Sequence, residues 1–436
     1  MTRLPSFAAA VVVFFLLTAA TLTVAEIKSL VISDDSRPVI LFEKFGFTQT
    51  GHVTVSISSV SVSSSPSTES SKLGFLLISE ESLLKILFEI QRNPRFCILD
   101  SNYIIHLFAF RNRSQFDHSY SITFPSEYSL FFVNCVPEST VSMKIRTEMY
   151  NQDSDGSKVY LPPGSTQLPG LYLFFSLCYL TFLGLWLCFG YNSTQRIHLF
   201  MAALLLVKSL TLISAAVYQH YVKVTGTAHG WNIVFYIFQF VNVVLLFTVI
   251  VLIGNGWSFL QRKLQGKEKK LLMIVVPLQV LASIASIVIG ETGPFIENWV
   301  IWNQFFLLAD TSCCSTIVIV MVRSMCSTRR ETSKKPDGKA VKNLAKLPLF
   351  RRFYVLVIVY FFFTRIVVFA LKIKVDYKYQ WVSNAAEEIA SLAFCSLMFY
   401  MFTRPMEMNV DYLDSDGEEE EEETAELSLK KQEFGL

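Results

Sequence analysis

The hydrophobic pattern of this 436-residue chain changes character near Pro169. After it, seven long apolar runs follow, at about 170–190, 197–219, 231–253, 270–290, 299–322, 353–373 and 382–402. A helix needs about 20 residues, rising 1.5 Å each, to cross ~30 Å of hydrocarbon, and each run meets that length. Before it, apolar and polar positions alternate with period two, as in Val53-Thr54-Val55-Ser56-Ile57 and again over Tyr103–Phe110, Tyr128–Val133 and Thr140–Met149. That period predicts half-buried strands, and seven or so of them in about 125 residues predict a small β-sandwich. Glu80–Ile90 has the helical period, with Ser79 placed to cap it and acidic residues in its first turn. Ser63–Ser71 reads as a Ser-rich loop, and 152–169, with its prolines and glycines, as a linker.

The first 25 residues predict a signal peptide: Arg3, an apolar run from Phe7 to Leu17 too short to span, and small residues at Thr23 and Ala25. The other reading is an uncleaved anchor. Both start the following segment outside the cytosol. Loop charge agrees. With residues 26–151 outside, the inside loop 323–352 holds Arg323, Arg329, Arg330, Lys334, Lys335, Lys339, Lys342, Lys346, Arg351 and Arg352, and 254–269 holds four more. The outside loops hold only Lys223, Lys374 and Lys378. This positive-inside asymmetry places the N-terminus lumenal or extracellular and the C-terminus in the cytosol. The expected layout is signal peptide 1–25, sandwich 26–151, linker 152–169, seven-helix bundle 170–402 and acidic disordered tail 403–436.

Composition makes a membrane protein the default. Hydrophobic residues make up 52%, mean hydropathy is +0.42, and charged residues are 17%, against about 25% in soluble domains. The net charge of +2 gives no reason to expect nucleic acid. Cys97 and Cys135 are the cysteines of the outer segment, and an oxidising compartment pairs them, the alternative being two buried thiols. The closed loop would be worth about 4 kcal/mol in the chain-entropy picture. Asn112 heads a glycosylation sequon on the same side, whereas the Asn192 sequon faces the cytosol.

Ionisable residues inside spans are costly and mark pairing or function. Here they are Lys208, Asp310, Arg365, Lys372, Glu387 and Glu388. Counting from the outer ends puts Lys208, Asp310, Asn242 and Gln279 about 16 Å deep, with Gln239 nearby. Arg365 comes at about 12 Å and the two glutamates at about 8–9 Å. These residues predict a polar layer, with Lys208 near Asp310 and Arg365 near Glu387 or Glu388. Such a layer can be structural glue, line a cavity for a ligand or headgroup, or form an ion path. Lys372 is placed to snorkel and Pro277 to kink its helix. No H-E-x-x-H, G-x-S-x-G or Walker loop occurs, so neither an enzyme nor a cofactor or metal site is expected.

Several segments carry a family likeness: IHLFMAALLLVKSL (197–210), LIGNGW (252–257), KKLLMIVVPLQVLA (269–282), DGKAVKNLAKLPLFRRFYVL (337–356), YFFFTRIV (360–367) and FTRP (402–405), with KFGFTQTGHVTVSISSVSV (44–62) before them. The chain resembles the lung seven-transmembrane receptor family, also described as GOLD-domain seven-helix proteins. The resemblance implies a GOLD-like β-sandwich on a seven-helix bundle. Plant members are described as candidate G-protein-coupled receptors, and animal relatives are associated with the Golgi, endosomes and trafficking. The acidic-Arg-aromatic triplet and Asn-Pro-x-x-Tyr of rhodopsin-like receptors are absent from this sequence.

On the cytosolic side, loop 323–352 carries ten basic residues against Glu331 and Asp337, while tail 403–436 carries twelve acidic against three basic. The bland reading is a solvated tail and an ordinary basic loop; the others are a partner site, a sorting signal or a latch. Cys326 is a candidate for palmitoylation and Ser415 for phosphorylation. The expectation is a receptor-like protein passing outer recognition of an unknown ligand or cargo to cytosolic signalling or trafficking proteins, a G protein among them. The alternatives are a Golgi or endosomal trafficking factor and, more weakly, a channel or transporter. The partners are the lipid bilayer and proteins, and the place is the Golgi, endosome or plasma membrane.

Overall fold

The computed structural model describes residues 27–63, 72–93, 96–109, 115–136, 139–190, 196–254, scattered helical positions between 278 and 323, and 352–401 except 354. The predicted signal peptide, Asn112, Pro277, Gln279, Cys326, Arg329, Arg330, Lys334, Lys335, Arg351, Ser415 and tail 403–436 lie outside these residues. Arg352 lies inside them and is exposed.

Nine strands come first: β1 (Ile27–Asp35), β2 (Val39–Gly46), β3 (Gly51–Ser63), β4 (Leu73–Ser79), β5 (Ile105–Ala109), β6 (Gln115–Ser121), β7 (Glu127–Asn134), β8 (Thr140–Gln152) and β9 (Lys158–Val159). They form two antiparallel sheets, ordered β1-β8-β3-β6 with β9 beside β8, and β2-β7-β4-β5. The facing sides close on Phe42, Phe75, Phe132, Val53 and Met149. Alternation along β3 and β8 puts every second residue in this core, as the period-two pattern predicts.

Strand β4 breaks the alternation, being buried over Leu73–Ile78. Its second face is covered as well. Helix α1 (Glu80–Arg92) packs Ile86, with Leu83 and Ile90, over Leu76, Ile78 and Val133. A strand covered on both sides reads as a continuous apolar run. Ser79 caps α1 by accepting from the Ser82 N–H at 3.3 Å. Cys97 and Cys135 are joined in a disulfide across this second core, Cα atoms 5.7 Å apart.

The helical region follows. Helices α2 (Leu168–Gly190), α3 (Arg196–Thr225) and α4 (Trp231–Gly254) pack in sequence. Helical residues 308–316 (α5), Val355–Lys374 (α6) and 381–401 (α7) follow, with scattered helical positions around them. Four stretches, Leu168–Cys188, His198–Thr225, Trp231–Ile250 and Val355–Lys374, are long and apolar enough to cross a membrane. The first and last helices meet through Trp186 and Phe182 against Phe399, at 5.2 and 5.6 Å between rings. A common core of Tyr179, Leu205, Phe247, Cys314, Val357 and Met398 draws on α2 through α7.

Helix α3 continues to Thr225, beyond the expected end near 219. Thirty residues give about 45 Å, longer than the ~30 Å hydrocarbon layer. Its projecting end is finished by the sandwich. The Tyr160 N–H donates to the Lys223 carbonyl and the Ile27 N–H to the Gly226 carbonyl, both at 3.1 Å. A helix C-terminus leaves carbonyls without intrahelical donors, and the sandwich backbone supplies them.

Candidate functional site

Two regions converge on one architecture: the junction where the sandwich meets the helix ends, and the charges between the helices.

The junction is built from close approach. Gly226, at φ +69°, meets Ile27 and Tyr160; a Cβ there would fall 2.9 Å from Ile27 Cγ1. Leu161 packs with Val222 and Ala228. The loop between α6 and α7 makes the second contact. A Cβ on Gly46, at the end of β2, would come 2.7 Å from the Tyr377 ring, and one on Gly164 would overlap the Tyr377 carbonyl. Segment 152–169, expected as a linker, therefore holds β9 and the residues that seat the sandwich on the helices.

Charges gather beside these contacts. Lys158 donates to Glu148 at 2.9 Å and Tyr160 donates to the same oxygen at 3.0 Å. The bond to Glu148 holds the Lys158 ammonium above its ordinary range. Lys44 lies 2.8 Å from Glu127 and 3.5 Å from Glu80. Burial pushes the Glu127 carboxyl up; Lys44 opposes this and Glu80 adds to it. Burial also works against the Lys44 charge, yet its carboxylate neighbours prevail and raise it.

Between the helices, the expected polar layer holds two ion pairs. Lys208 Nζ on α3 lies 2.8 Å from Glu388 Oε1 on α7, with side chains 16% and 9% exposed. The Tyr179 hydroxyl of α2 donates to the other Glu388 oxygen at 3.4 Å. Arg365 of α6 lies 3.0 Å from Asp310 Oδ2 of α5, side chains 40% and 9% exposed. Tyr360 and Ser391 approach at 3.4 Å, and the Ser391 hydroxyl donates to the Glu387 carbonyl. Gln239 and Asn242 are half-buried on α4.

The partners are exchanged relative to expectation. Lys208 pairs with Glu388 rather than Asp310, and Arg365 pairs with Asp310; of the two glutamates expected near Arg365, Glu387 acts on it electrostatically without forming the ion pair. Depth along an axis places residues on one level but carries no azimuth. Because α7 closes against α2 beside α3, Glu388 faces Lys208, while the consecutive α5 and α6 bring Asp310 to Arg365. Sequence also gave no sign of the π-turn Phe363–Val367, which holds Arg365. π-Turns inside α-helices recur at functional sites. Lys372 is exposed near the sandwich-side end of α6.

Chemically, the arrangement can fix one packing of the bundle. Breaking one partner would leave a charge buried alone, whereas the intact pairs are nearly neutral in net stability. Among the described residues no group of three or more His, Cys, Asp or Glu could hold a metal.

Comparison with known families bears on the whole chain. The GOST seven-transmembrane domain matches residues 167–410, and the CAND6/7 N-terminal domain matches residues 28–151. The chain belongs to the GOST family. The GOST domain thus covers the helical half and the CAND6/7 domain the sandwich, as the motif likeness implied. This GOST protein is 67% identical, over 439 residues, to the Arabidopsis thaliana protein Candidate G-protein coupled receptor 6, covering 99% of this chain and 100% of that relative. It is a multi-pass membrane protein whose helices contact the lipid bilayer.

Proposed function

We propose that this is a non-enzymatic, receptor-like protein in which the sandwich, on the lumenal or extracellular side, recognises a ligand or cargo and the bundle passes that state to cytosolic partners. One observation carries the reading. The two loops on which the sandwich sits join α3 to α4 and α6 to α7, and α3, α6 and α7 carry Lys208, Arg365 and Glu388. A shift of the sandwich would bear on the ion-pair helices directly. The name of the relative, a candidate G-protein coupled receptor, supports the same class. Under this reading the basic loop 323–352, rather than a rhodopsin-like triplet, meets the partner.

Proximity labelling from the cytosolic C-terminus, comparing the native protein with Gly46→Trp, tests the proposal. The substitution forces Tyr377 off the sandwich while leaving both charge pairs in place. A changed set of neighbours, with a G-protein α subunit among those lost or gained, is expected. An unchanged set would separate the sandwich from cytosolic recruitment and end the receptor reading. Coat or cargo-sorting proteins in place of a G protein would select the trafficking alternative.

A further inference from the structure

The sandwich presents one uncharged loop at its docked end that the junction does not use. Residues 122–126, Ile-Thr-Phe-Pro-Ser, connect β6 to β7. Phe124 is 74% exposed, the most exposed large apolar side chain of the described sandwich. The loop is held at three points. The Tyr128 hydroxyl donates to the Phe124 carbonyl at 3.2 Å. The Phe47 N–H donates to the Ser126 carbonyl at 2.9 Å and the Ile122 N–H to the Gly51 carbonyl at 2.8 Å. Ile122 is buried and anchors the loop's base. Phe124 is therefore displayed on a fixed frame.

Its level is known. Phe47, which holds the loop, follows Gly46, which touches Tyr377 in the α6–α7 connection. That connection and the α3–α4 end carry Tyr379, Tyr221 and Trp231, all exposed and all at or near helix ends on the sandwich side. Aromatic residues gather at membrane–water interfaces because one part of the ring system is apolar and the other tolerates water. Single exposed apolar residues are ordinary on proteins. This one is on a loop next to the connection between two helices of a membrane-spanning bundle; residues 122–126 carry no charge, and Glu127, which follows them, is paired with Lys44. The apolar side chains Leu84, Leu87 and Phe88 on α1 lack that continuity, and nothing shows what covers them.

We infer that loop 122–126 seats Phe124 in the headgroup–acyl boundary beside the bundle, so that the sandwich is braced by lipid as well as by the helix ends. The partner is a lipid surface, engaged by an apolar wedge rather than by charge. The inference rests on the multi-pass architecture and not on the receptor reading.

The test uses the full chain in phosphatidylcholine nanodiscs with an environment-sensitive fluorescent amino acid encoded at position 124, which avoids labelling the free cysteines. A second sample carries it at Ser63, at the far end of β3. Lipids bearing a nitroxide near the headgroup should quench position 124 strongly, those bearing it at the chain end less, and Ser63 should be quenched by neither. Phe124→Trp, read as extra quenchable emission over the native protein, repeats the measurement should the larger probe disturb folding. Quenching at 124 no greater than at Ser63 overturns the inference, whether the probe then reports water or, by a blue-shifted emission, a covering protein surface.

Discussion

The sandwich and the helical bundle solve burial in opposite ways. The sandwich core is closed by aromatic and aliphatic side chains, with the Phe75 ring packed among those of Phe42, Phe108 and Phe132 at 5.2–5.4 Å. Most of its charged pairs stand at the rim; the Lys28–Glu43 pair, at 3.1 Å, buries its carboxylate. The bundle places Lys208, Glu388 and Asp310 among its buried and half-buried side chains, surrounded by the apolar residues of six helices. The sandwich gains stability from apolar area removed from water. Helices in lipid gain little that way, since hydrocarbon surrounds them in either state, and they are fixed by packing and polar contacts. The same side chains thus differ in meaning: a buried Phe in the sandwich stabilises, whereas a buried charge in the bundle selects one helix arrangement.

The sharpest break of this contrast falls in the sandwich. Phe75→Ala should cost about 3–5 kcal/mol through lost contacts and a cavity. Thermal unfolding of the purified protein should report it, and a change under 1 kcal/mol would mean the aromatic cluster repacks freely. A comparable loss is expected from Cys97→Ser, within the 2–5 kcal/mol typical of removing a native disulfide. Retention in the early secretory pathway is its cellular readout, and normal export would show that α1 stays docked without the bond.

In the bundle, Glu388→Gln should destabilise by about 3 kcal/mol, because it strands Lys208. Lys208→Met with Glu388→Leu should recover most of that loss. Recovery would separate the bundle from the sandwich, where no paired substitution repairs Phe75→Ala. Asp310→Asn should destabilise in the same direction by stranding Arg365, which lies 3.0 Å from Asp310.

The smallest effect concerns pH at the junction. Glu127 has its folded carboxyl raised above the usual 4.5, chiefly by burial. The folded state then holds the proton more tightly than the unfolded chain. This contribution to stability is fully present below 4.5 and is lost as pH rises through the raised value. Glu127→Gln should flatten the melting temperature across that window; an unchanged slope would assign the pH dependence elsewhere.

Much of the fold could be read from residue patterns. Period two found the inner faces of β3 and β8, Ser79 marked the start of α1, and hydropathy marked the helices. Three features escaped for physical reasons. The end of α3 depends on hydrogen bonds from Ile27 and Tyr160, far away in sequence. The role of 158–167 depends on what it touches, because prolines and glycines suit a packed seat as well as a free connection. The ion-pair partners depend on the angular order of the helices, which a one-dimensional count omits; that these helices carry ionisable residues was legible, and which of them pair was not.

That pairing fixes how the helices are arranged. Double-mutant cycles among the four charges, read as unfolding free energy in a constant lipid environment, measure it directly. Strong coupling for Lys208–Glu388 and for Arg365–Asp310, with coupling near zero for Lys208–Asp310, is the predicted result. Coupling of Lys208 to Asp310 in place of Glu388 would contradict the helix arrangement described here.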